Sequence, residues 1–186
     1  MDAVPPSAPE WFAPLRAGFE KHRSLARSAA AQVHGAAFFA PLGPGDNSIA
    51  HLFQHVGGNL RSRFTDFLTS DGEKPDRHRD AEFEDGRSRA DIEAVWADGW
   101  AALFDTLDAL TPDDLARTVT IRGEPLSVPE ALVRAFAHVS YHVGQIVLLA
   151  KHHAGPSWRT LSIPRGGSAA SAPAVRARTA FPPKTA

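Results

Sequence analysis

Residues 48–70, SIAHLFQHVGGNLRSRFTDFLTS, carry the pattern that decides the fold class. Ser48 is a residue type that caps the N-terminus of helices. After it, apolar residues recur every three to four positions, which is the period of one helix face: Ile49, Leu52, Phe53, Val56, Leu60, Phe64, Phe67 and Leu68. The pattern predicts an amphipathic helix of about 20 residues, roughly 30 Å long, that ends near Ser70.

Three further helices are predicted around this one. A first helix covers about residues 9–33, and a third begins near Ser88. A fourth covers about residues 128–153 and begins beside a proline, which suits the first turn of a helix. Residues 118–128, just before it, predict a small hairpin. Four helices with little strand between them predict an all-α fold, a helix bundle.

The chain is predicted to form one domain, residues 1–168, followed by an extended C-terminal tail, residues 169–186. The tail holds too few apolar residues to bury a core of its own, so we expect it to be flexible or packed on another surface. The last part of the domain, residues 157–168, is expected to pack back on the helices or on a second copy. Its apolar residues would otherwise form an exposed patch: Trp158, Leu161 and Ile163.

The composition is that of a folded globular protein. The chain has 186 residues, of which 43% are hydrophobic and 22% are charged. It has no cysteine, which excludes disulfides, cysteine-ligated metal sites and a catalytic thiol from the protein itself. No apolar run approaches the ~20 residues of a membrane span, and the N-terminus lacks the pattern of a secretion signal. We therefore expect a cytoplasmic protein with no membrane partner.

The net charge of −1 is unevenly distributed along the chain. Residues 1–130 hold 13 Lys and Arg against 21 Asp and Glu, a balance of −8, whereas residues 131–186 hold 7 basic residues and no acidic ones. A basic C-terminal segment can indicate nucleic-acid binding. Here the basic residues are scattered with few aromatic residues between them, which favours a basic tail lying on an acidic body. No nucleic-acid partner is therefore expected.

Two pairs of histidines, each spaced four residues apart, are the candidates for chemistry. His138 and His142 lie on one largely inward face of the fourth helix, where they could bind a metal ion or be hydrogen-bonded core residues. On the second helix, His55 borders the apolar stripe, and His51 lies on a more polar line. Three histidines from two helices, with no fourth protein ligand evident, predict an open metal site, which is typical of catalytic metals.

Three segments resemble the DinB superfamily, and most closely its branch of small bacterial proteins of unknown function: NSIAHLFQHVGGNLRSRFTDFLTSDGEK, AFAHVSYHVGQIVLLAK and WRTLSIPRGGS. The likeness covers about residues 10–168, and its most specific motif is HxxxHxGQ on the last helix. The resemblance implies an up-down-down-up four-helix bundle and a divalent metal held by His55, His138 and His142. His51 falls where the family pattern usually has an apolar residue, so we treat it as a bystander.

The resemblance also bears on activity. Some relatives are thiol-dependent S-transferases that use bacillithiol or mycothiol, one is a mycothiol-dependent isomerase, and others are described as hydrolases. This implies a homodimeric, metal-dependent enzyme that acts on a small molecule, with a low-molecular-weight thiol as cosubstrate. The expected metal is zinc or nickel, and after them iron or manganese, with water or a thiol sulfur in the open positions. The alternative is a non-catalytic metal-binding protein of the stress response.

Three residues on the helices are candidates for roles beside the metal. Asn59 and Gln145 each lie about one turn from a predicted ligand, so they are candidates for orienting its ring. Tyr141 adjoins His142 in sequence but faces about 100° away from it, which favours simple packing.

Two carboxylates are candidates for a general base. Asp71 and Glu73 begin a polar loop, residues 71–87, and loops of this length are usually functional or disordered. Either carboxylate could act on a substrate if the loop folds over the site. The alternative is a solvated loop with no part in the chemistry.

Overall fold

The computed structural model describes residues 8–171, which are mostly helical, as predicted. The long helices are α1 (Ala8–Ala30), α2 (Ile49–Phe64), α3 (Arg89–Ala109) and α4 (Val128–Ala154). Strands β1 (Thr118–Ile121) and β2 (Glu124–Ser127) pair antiparallel and form the predicted hairpin before α4. Short 3-10 turns occupy Gly35–Phe38, Asp80–Phe83, Pro112–Ala116 and Gly155–Ser157.

Serine side chains cap the starts of α2, α3 and α4. The hydroxyl oxygen of Ser48 accepts a hydrogen bond from the backbone N–H of His51 at 3.2 Å. Ser88 and Ser127 make the equivalent bond at the other two helices. Each cap satisfies a backbone donor that the first helical turn leaves without a partner. The helix starts predicted at Ser48, near Ser88 and at about residue 128 are therefore confirmed.

Helix α2 ends earlier than the predicted Ser70. Its last residue is Phe64, because Thr65 adopts an extended backbone and Asp66 a left-handed one, with φ of 49°. Phe67 is nevertheless buried and stacks on Phe64, with 5.3 Å between the ring centroids. The apolar spacing continues beyond Phe64 because the following turn also packs on the core, although the helix itself has ended.

Side-chain contacts show that α2 and α3 run in the same direction. Phe53 stacks on Trp96, with 4.2 Å between the ring centroids. Further along both helices, the hydroxyl of Thr106 donates a hydrogen bond to the backbone carbonyl of Phe64 at 2.9 Å. These two helices therefore pack alongside each other over most of their length.

Helix α1 packs on both α3 and α4. Phe19 is fully buried and packs edge-on against Trp100 of α3 and Phe136 of α4. Its ring centroid lies 6.3 Å from that of Trp100 and 5.1 Å from that of Phe136. Arg16, one turn earlier in α1, pairs with Asp108 near the end of α3 at 2.8 Å. Since earlier residues of α1 meet later residues of α3, these two helices run in opposite directions.

Helix α4 is apolar on its outward face as well as its inward face. Leu132 and Ile146 are fully buried, whereas Val133 and Leu148 are 62% and 60% exposed. This composition makes Val128–Ser157 long and apolar enough to cross a membrane by length and composition alone, which the sequence analysis did not anticipate. The inward face packs in the core and carries two of the candidate histidines, which is consistent with the core helix of a soluble protein.

Asp71 anchors the hairpin to the segment that follows α2. Its carboxylate accepts backbone N–H bonds from Glu73 at 2.7 Å and from Gly123 and Arg122 at 2.8 Å. These bonds hold Arg122 and Gly123 in the left-handed conformation that closes the turn, with φ of 58° and 75°. Hydrogen bonds, first from Glu73 and then from Gly123, lower the pKa of Asp71 to about 2. The contacts give Asp71 a structural role and none that favours a general base.

Asp71→Asn is expected to lower the free energy of unfolding by about 1 kcal/mol near neutral pH, because a charged acceptor is lost at a partly solvated site. The pKa in the folded chain, about 2, lies below the ordinary value of about 3.9. The charged form therefore stabilises the fold above about pH 4, and this contribution is lost as the pH falls through about 2. Urea unfolding at several pH values measures both effects. Asp105→Asn, on the exposed surface of α3, is the control, and equal losses in both variants would contradict the prediction.

Residues 157–168 pack back on the helices in part. Trp158 and Leu161 contact the core, and the backbone of Arg159 exchanges two hydrogen bonds with the side-chain amide of Gln32. The packing prediction is therefore confirmed for Trp158 and Leu161. Ile163 is 43% exposed and does not pack on the helices, so its packing on a second copy stays a prediction. A single apolar side chain on the surface carries little cost. Most of the predicted tail, residues 172–186, lies outside the described residues.

Candidate metal centre

Three histidines from two helices meet at one point in the fold. The Nε2 atoms of His55 on α2 and His138 on α4 are 3.1 Å apart. His142 also lies on α4. Each of the three histidines offers one ligand atom, and these three atoms all lie within 4.8 Å of one another. The pair on α4 shares a face because residues four apart in a helix lie one above the other. His55 and His142 are buried, and His138 is half-buried.

Glu82 fixes the ring of His55. The Nδ1–H of His55 donates to Oε2 of the Glu82 carboxylate at 2.8 Å, which leaves the lone pair of this ring on Nε2, the atom that contacts Nε2 of His138. A carboxylate on the distal nitrogen is the usual second partner of a metal-binding histidine. Glu82 could not be predicted from the sequence because it lies in the polar segment 71–87, where no periodic pattern distinguishes one acidic residue from another.

The carboxylate of Glu82 is itself held in place. Arg77 donates two hydrogen bonds to it at 2.8 and 2.9 Å. Burial raises the pKa of Glu82, but the hydrogen bonds from His55 and Arg77 together lower it below its ordinary value. A Cβ atom at Gly58 would overlap this carboxylate, so the glycine on α2 allows its close approach. The 71–87 segment is thus an ordered wall of the site, and its turn at Asp80–Phe83 packs on α2.

Gln145 fixes the ring of His142 in the same manner. The Nδ1–H of His142 donates to Oε1 of Gln145 at 2.8 Å, so the predicted contact between these residues is present. Nε2 of His142 then carries the lone pair, and it is buried with no hydrogen-bond partner in the described part of the chain. Nδ1 of His138 is likewise buried and without a partner there.

Burial keeps the two histidines of α4 neutral. It is the main cause that lowers the pKa of His138 to about 3 and that of His142 to about 4. The hydrogen bond to Gln145 partly offsets this for His142, and the neighbouring His55 lowers the pKa of both. Both pKa values lie well below the ordinary histidine value of about 6.5. Neutral imidazole is the form that binds a metal ion.

These residues fit a divalent transition metal. A buried nitrogen without a partner is unfavourable, and a cation would satisfy the lone pair of His142. A tetrahedral zinc ion with bonds of about 2.0–2.1 Å places its ligand nitrogens about 3.3 Å apart. The Nε2 atoms of His55 and His138, at 3.1 Å, are close to that separation. Imidazole ligands suit zinc, nickel, copper and iron alike, so the donor set does not select one metal.

A cavity of about 200 Å³ opens beside the histidines. His55, His138 and two of the predicted candidates, Asn59 and Tyr141, line it. Tyr141 is 54% exposed, and its ring lies 4.0 Å from that of His142, centroid to centroid. It also packs edge-on against His138, with 5.3 Å between the ring centroids, so Tyr141 both packs on the histidines, as its helix position favoured, and lines the cavity.

His51 and Glu73 have other partners. His51 completes the cap of α2, where its Nδ1 accepts from the backbone N–H of Ser48 at 3.3 Å, and its Nε2 contacts Asp85 at 3.1 Å. Glu73 pairs with arginines of the segments around it and does not line the cavity. These contacts account for both residues without a metal, and a role for Glu73 as general base stays a prediction.

No curated protein and no solved structure matches the chain. The sequence model of one family, described as "Protein of unknown function (DUF1572)", matches residues 7–167. The matched region spans all four long helices, the 71–87 segment and the three clustered histidines. Since it covers most of the 186 residues, the chain belongs to the DUF1572 family.

Proposed function

We propose that the chain is a DinB-like, metal-dependent enzyme of the thiol-dependent S-transferase or hydrolase type. One observation supports this most: three imidazoles cluster within 4.8 Å, two of them (His55 and His138) line a cavity, and Nε2 of His142 has no hydrogen-bond partner within residues 8–171. Three protein ligands would leave positions of a divalent ion open to a small-molecule substrate. The shared direction of α2 and α3, opposite to that of α1, supports an up-down-down-up bundle as the fold of residues 1–168.

In this proposal His55, His138 and His142 hold the ion, zinc or nickel first and iron or manganese otherwise. When bound, the ion supplies a Lewis acid beside the cavity. Glu82 and Gln145 keep two of the rings in the ligand tautomer through their Nδ1 atoms. Burial raises the pKa of Tyr141, so its phenol stays protonated near neutral pH and can donate a hydrogen bond to a substrate.

In this proposal the chain is cytoplasmic and forms a homodimer. Support for the dimer comes from an exposed stripe along α4, whose residues recur at three- and four-residue spacing: Val133, Ala137, Tyr141, Gly144 and Leu148. Exposed apolar stripes of this kind are typical of helix–helix interfaces. Light scattering of the purified chain measures whether two copies associate.

Removing the metal is expected to lower the melting temperature by about 8 to 16 °C. Ligands on α2 and α4 cross-link two helices, and an ion present at 1,000 times its Kd would stabilise the fold by about 4 kcal/mol. Thermal unfolding with and without a chelator measures the change, after metal analysis of the purified chain. The control is His138→Ala, whose melting temperature should not respond to the chelator. An unchanged melting temperature in a chain that contains metal would contradict the prediction.

Turnover then separates the enzyme from the non-catalytic alternative. The metal-loaded chain is assayed with bacillithiol or mycothiol plus an electrophile, and with a panel of esters. Turnover that disappears in His138→Ala supports the proposal. Bound metal with no turnover in any assay favours the non-catalytic metal-binding protein.

A further inference from the structure

The cavity beside the histidines has a strongly basic wall. Among residues 8–171, four arginines line it: Arg63, Arg79, Arg122 and Arg134. No aspartate or glutamate from that part of the chain lines it. They come from four separate segments, namely α2, the 71–87 segment, the hairpin turn and α4. Their convergence is therefore a product of the tertiary fold and not of a local run of basic residues.

Few carboxylates balance these charges. Glu73 contacts both Arg63 at 2.9 Å and Arg122 at 3.0 Å, and it also contacts Arg77 at 3.4 Å. One carboxylate is thus shared among three guanidinium groups. The guanidinium groups of Arg63 and Arg122, the two of these that line the cavity, pair with no second carboxylate in the described part of the chain.

The other two lining arginines differ in their partners. Arg134 pairs with Glu124 at 2.9 Å. Arg79 forms no ion pair within residues 8–171, and its guanidinium lies 5.9 Å from the ring centroid of Phe83. Within residues 8–171, the guanidinium groups of the four lining arginines therefore pair with only two carboxylates, Glu73 and Glu124. A third carboxylate, that of Asp71, contacts the backbone N–H of Arg122 and not its guanidinium.

A concave wall that gathers several positive charges attracts an anion. Arg63 is largely covered, whereas Arg79, Arg122 and Arg134 are exposed and can reach a ligand from solvent. An anion bound between them relieves the repulsion of their like charges. Guanidinium groups bind carboxylate and phosphate with two parallel hydrogen bonds, which makes arginine the preferred residue for both. The histidines at the end of the cavity add no negative charge.

We propose that the arginine wall is an anion-binding subsite for a small molecule that carries a carboxylate or phosphate group. The subsite holds the anionic group at Arg79, Arg122 and Arg134, and places the rest of the molecule against the histidines. This inference rests on the proposed function only in taking that molecule to be the substrate. A volume of about 200 Å³ is smaller than most ligand pockets, which favours a compact acid.

The remaining wall of the cavity limits what else the ligand carries. Phe64, Phe67 and Ile121 line it and are themselves buried, so they present an apolar surface with no charge. A ligand with an anionic end and a short apolar body matches both walls. The hydroxyl of Tyr141 and the amide of Asn59 remain for polar groups near the histidines.

Calorimetric titration of the purified full chain tests the subsite, before and after chelation. The probes are inorganic phosphate, succinate and, as a neutral analogue, succinamide. We expect saturable binding of phosphate or succinate in both forms of the chain, and none of succinamide. Binding of phosphate alone assigns a phosphate-bearing ligand, and binding of succinate alone assigns a carboxylic acid.

Arginine variants identify the site of binding. Arg79→Ala and Arg134→Ala should each weaken binding about tenfold, which corresponds to about 1.4 kcal/mol. Arg27→Ala removes an exposed charge of α1 that does not line the cavity, and it should leave the affinity unchanged. Arg79 and Arg134 are both exposed, so neither substitution should unfold the chain. Unchanged melting temperatures will show that both variants fold.

The outcomes separate this inference from the proposed function. No anion binding, or an affinity that neither Arg79→Ala nor Arg134→Ala changes, overturns the subsite even if the chain binds metal. Anion binding that vanishes on chelation also overturns it, since the anion then sits on the metal. Arginine-dependent binding in a chain that takes up no metal leaves the subsite standing and removes the proposed metal-dependent reaction.

Discussion

Alanine in place of His55, His138 or His142 is expected to lower the metal content of the purified chain from about one ion per chain to less than about 0.1. Loss of a group that only orients a ligand weakens metal binding about 10–100-fold, and loss of a ligand itself weakens it at least as much. The two histidines that remain in each variant would still lie within 4.8 Å of each other, but a third donor would be missing. Elemental analysis after dialysis measures the result.

His51→Ala is the matched control for the ligand variants. His51 lies on the same helix as His55, four residues earlier. Its ring nitrogens contact Ser48 and Asp85 instead of the histidine cluster. This variant should keep its metal, although it loses part of the α2 cap. Circular dichroism shows that each variant is folded. If His51→Ala empties the site while His55→Ala leaves it filled, the ligand assignment is wrong.

Alanine at Gly57 or Gly99 is expected to lower the free energy of unfolding by roughly 3 kcal/mol, and the melting temperature by about 6 to 12 °C. These glycines lie where α2 and α3 approach most closely. A Cβ atom at Gly57 would lie 2.6 Å from the backbone oxygen of Val95, and one at Gly99 would overlap the backbone carbonyl of Gly57. The obstacles are backbone atoms, so the two helices must move apart to accept either methyl group.

Gly144→Ala provides the control for this prediction. Gly144 is also a helical glycine, on the exposed stripe of α4, but a Cβ atom there would meet no heavy atom of the described part of the same chain within 4 Å. Because that stripe is the proposed dimer interface, unfolding is compared at a concentration at which light scattering shows single copies. Alanine has the higher helix propensity, so this variant should be as stable as the natural chain or more stable by up to about 1 kcal/mol. Urea unfolding compares the three variants. Equal stability of Gly99→Ala and Gly144→Ala would show that the contact between α2 and α3 is not as close as described.

The helix starts and the histidine pair of α4 could be predicted because local geometry decides them. A serine hydroxyl reaches a backbone N–H three residues ahead whatever the rest of the fold does, which is why helix starts could be placed at Ser48 and near Ser88 and residue 128. In the same way, a spacing of four residues places His138 and His142 on one face of any helix. The end of α2 was not predicted, because Phe67 keeps the apolar spacing while Asp66 leaves the helical backbone conformation.

The sequence by itself thus determined a mostly helical chain, the starts of three helices and which histidines could meet. Only the tertiary structure decided what surrounds them. Glu82 reaches His55 from 27 residues away, and the arginine wall assembles from four segments that share no spacing. Such contacts depend on how α2, α4 and the 71–87 segment pack, which involves burial and charge over long sequence separations. Periodicity reports only the face that each helix buries, so it contains no information about these partners.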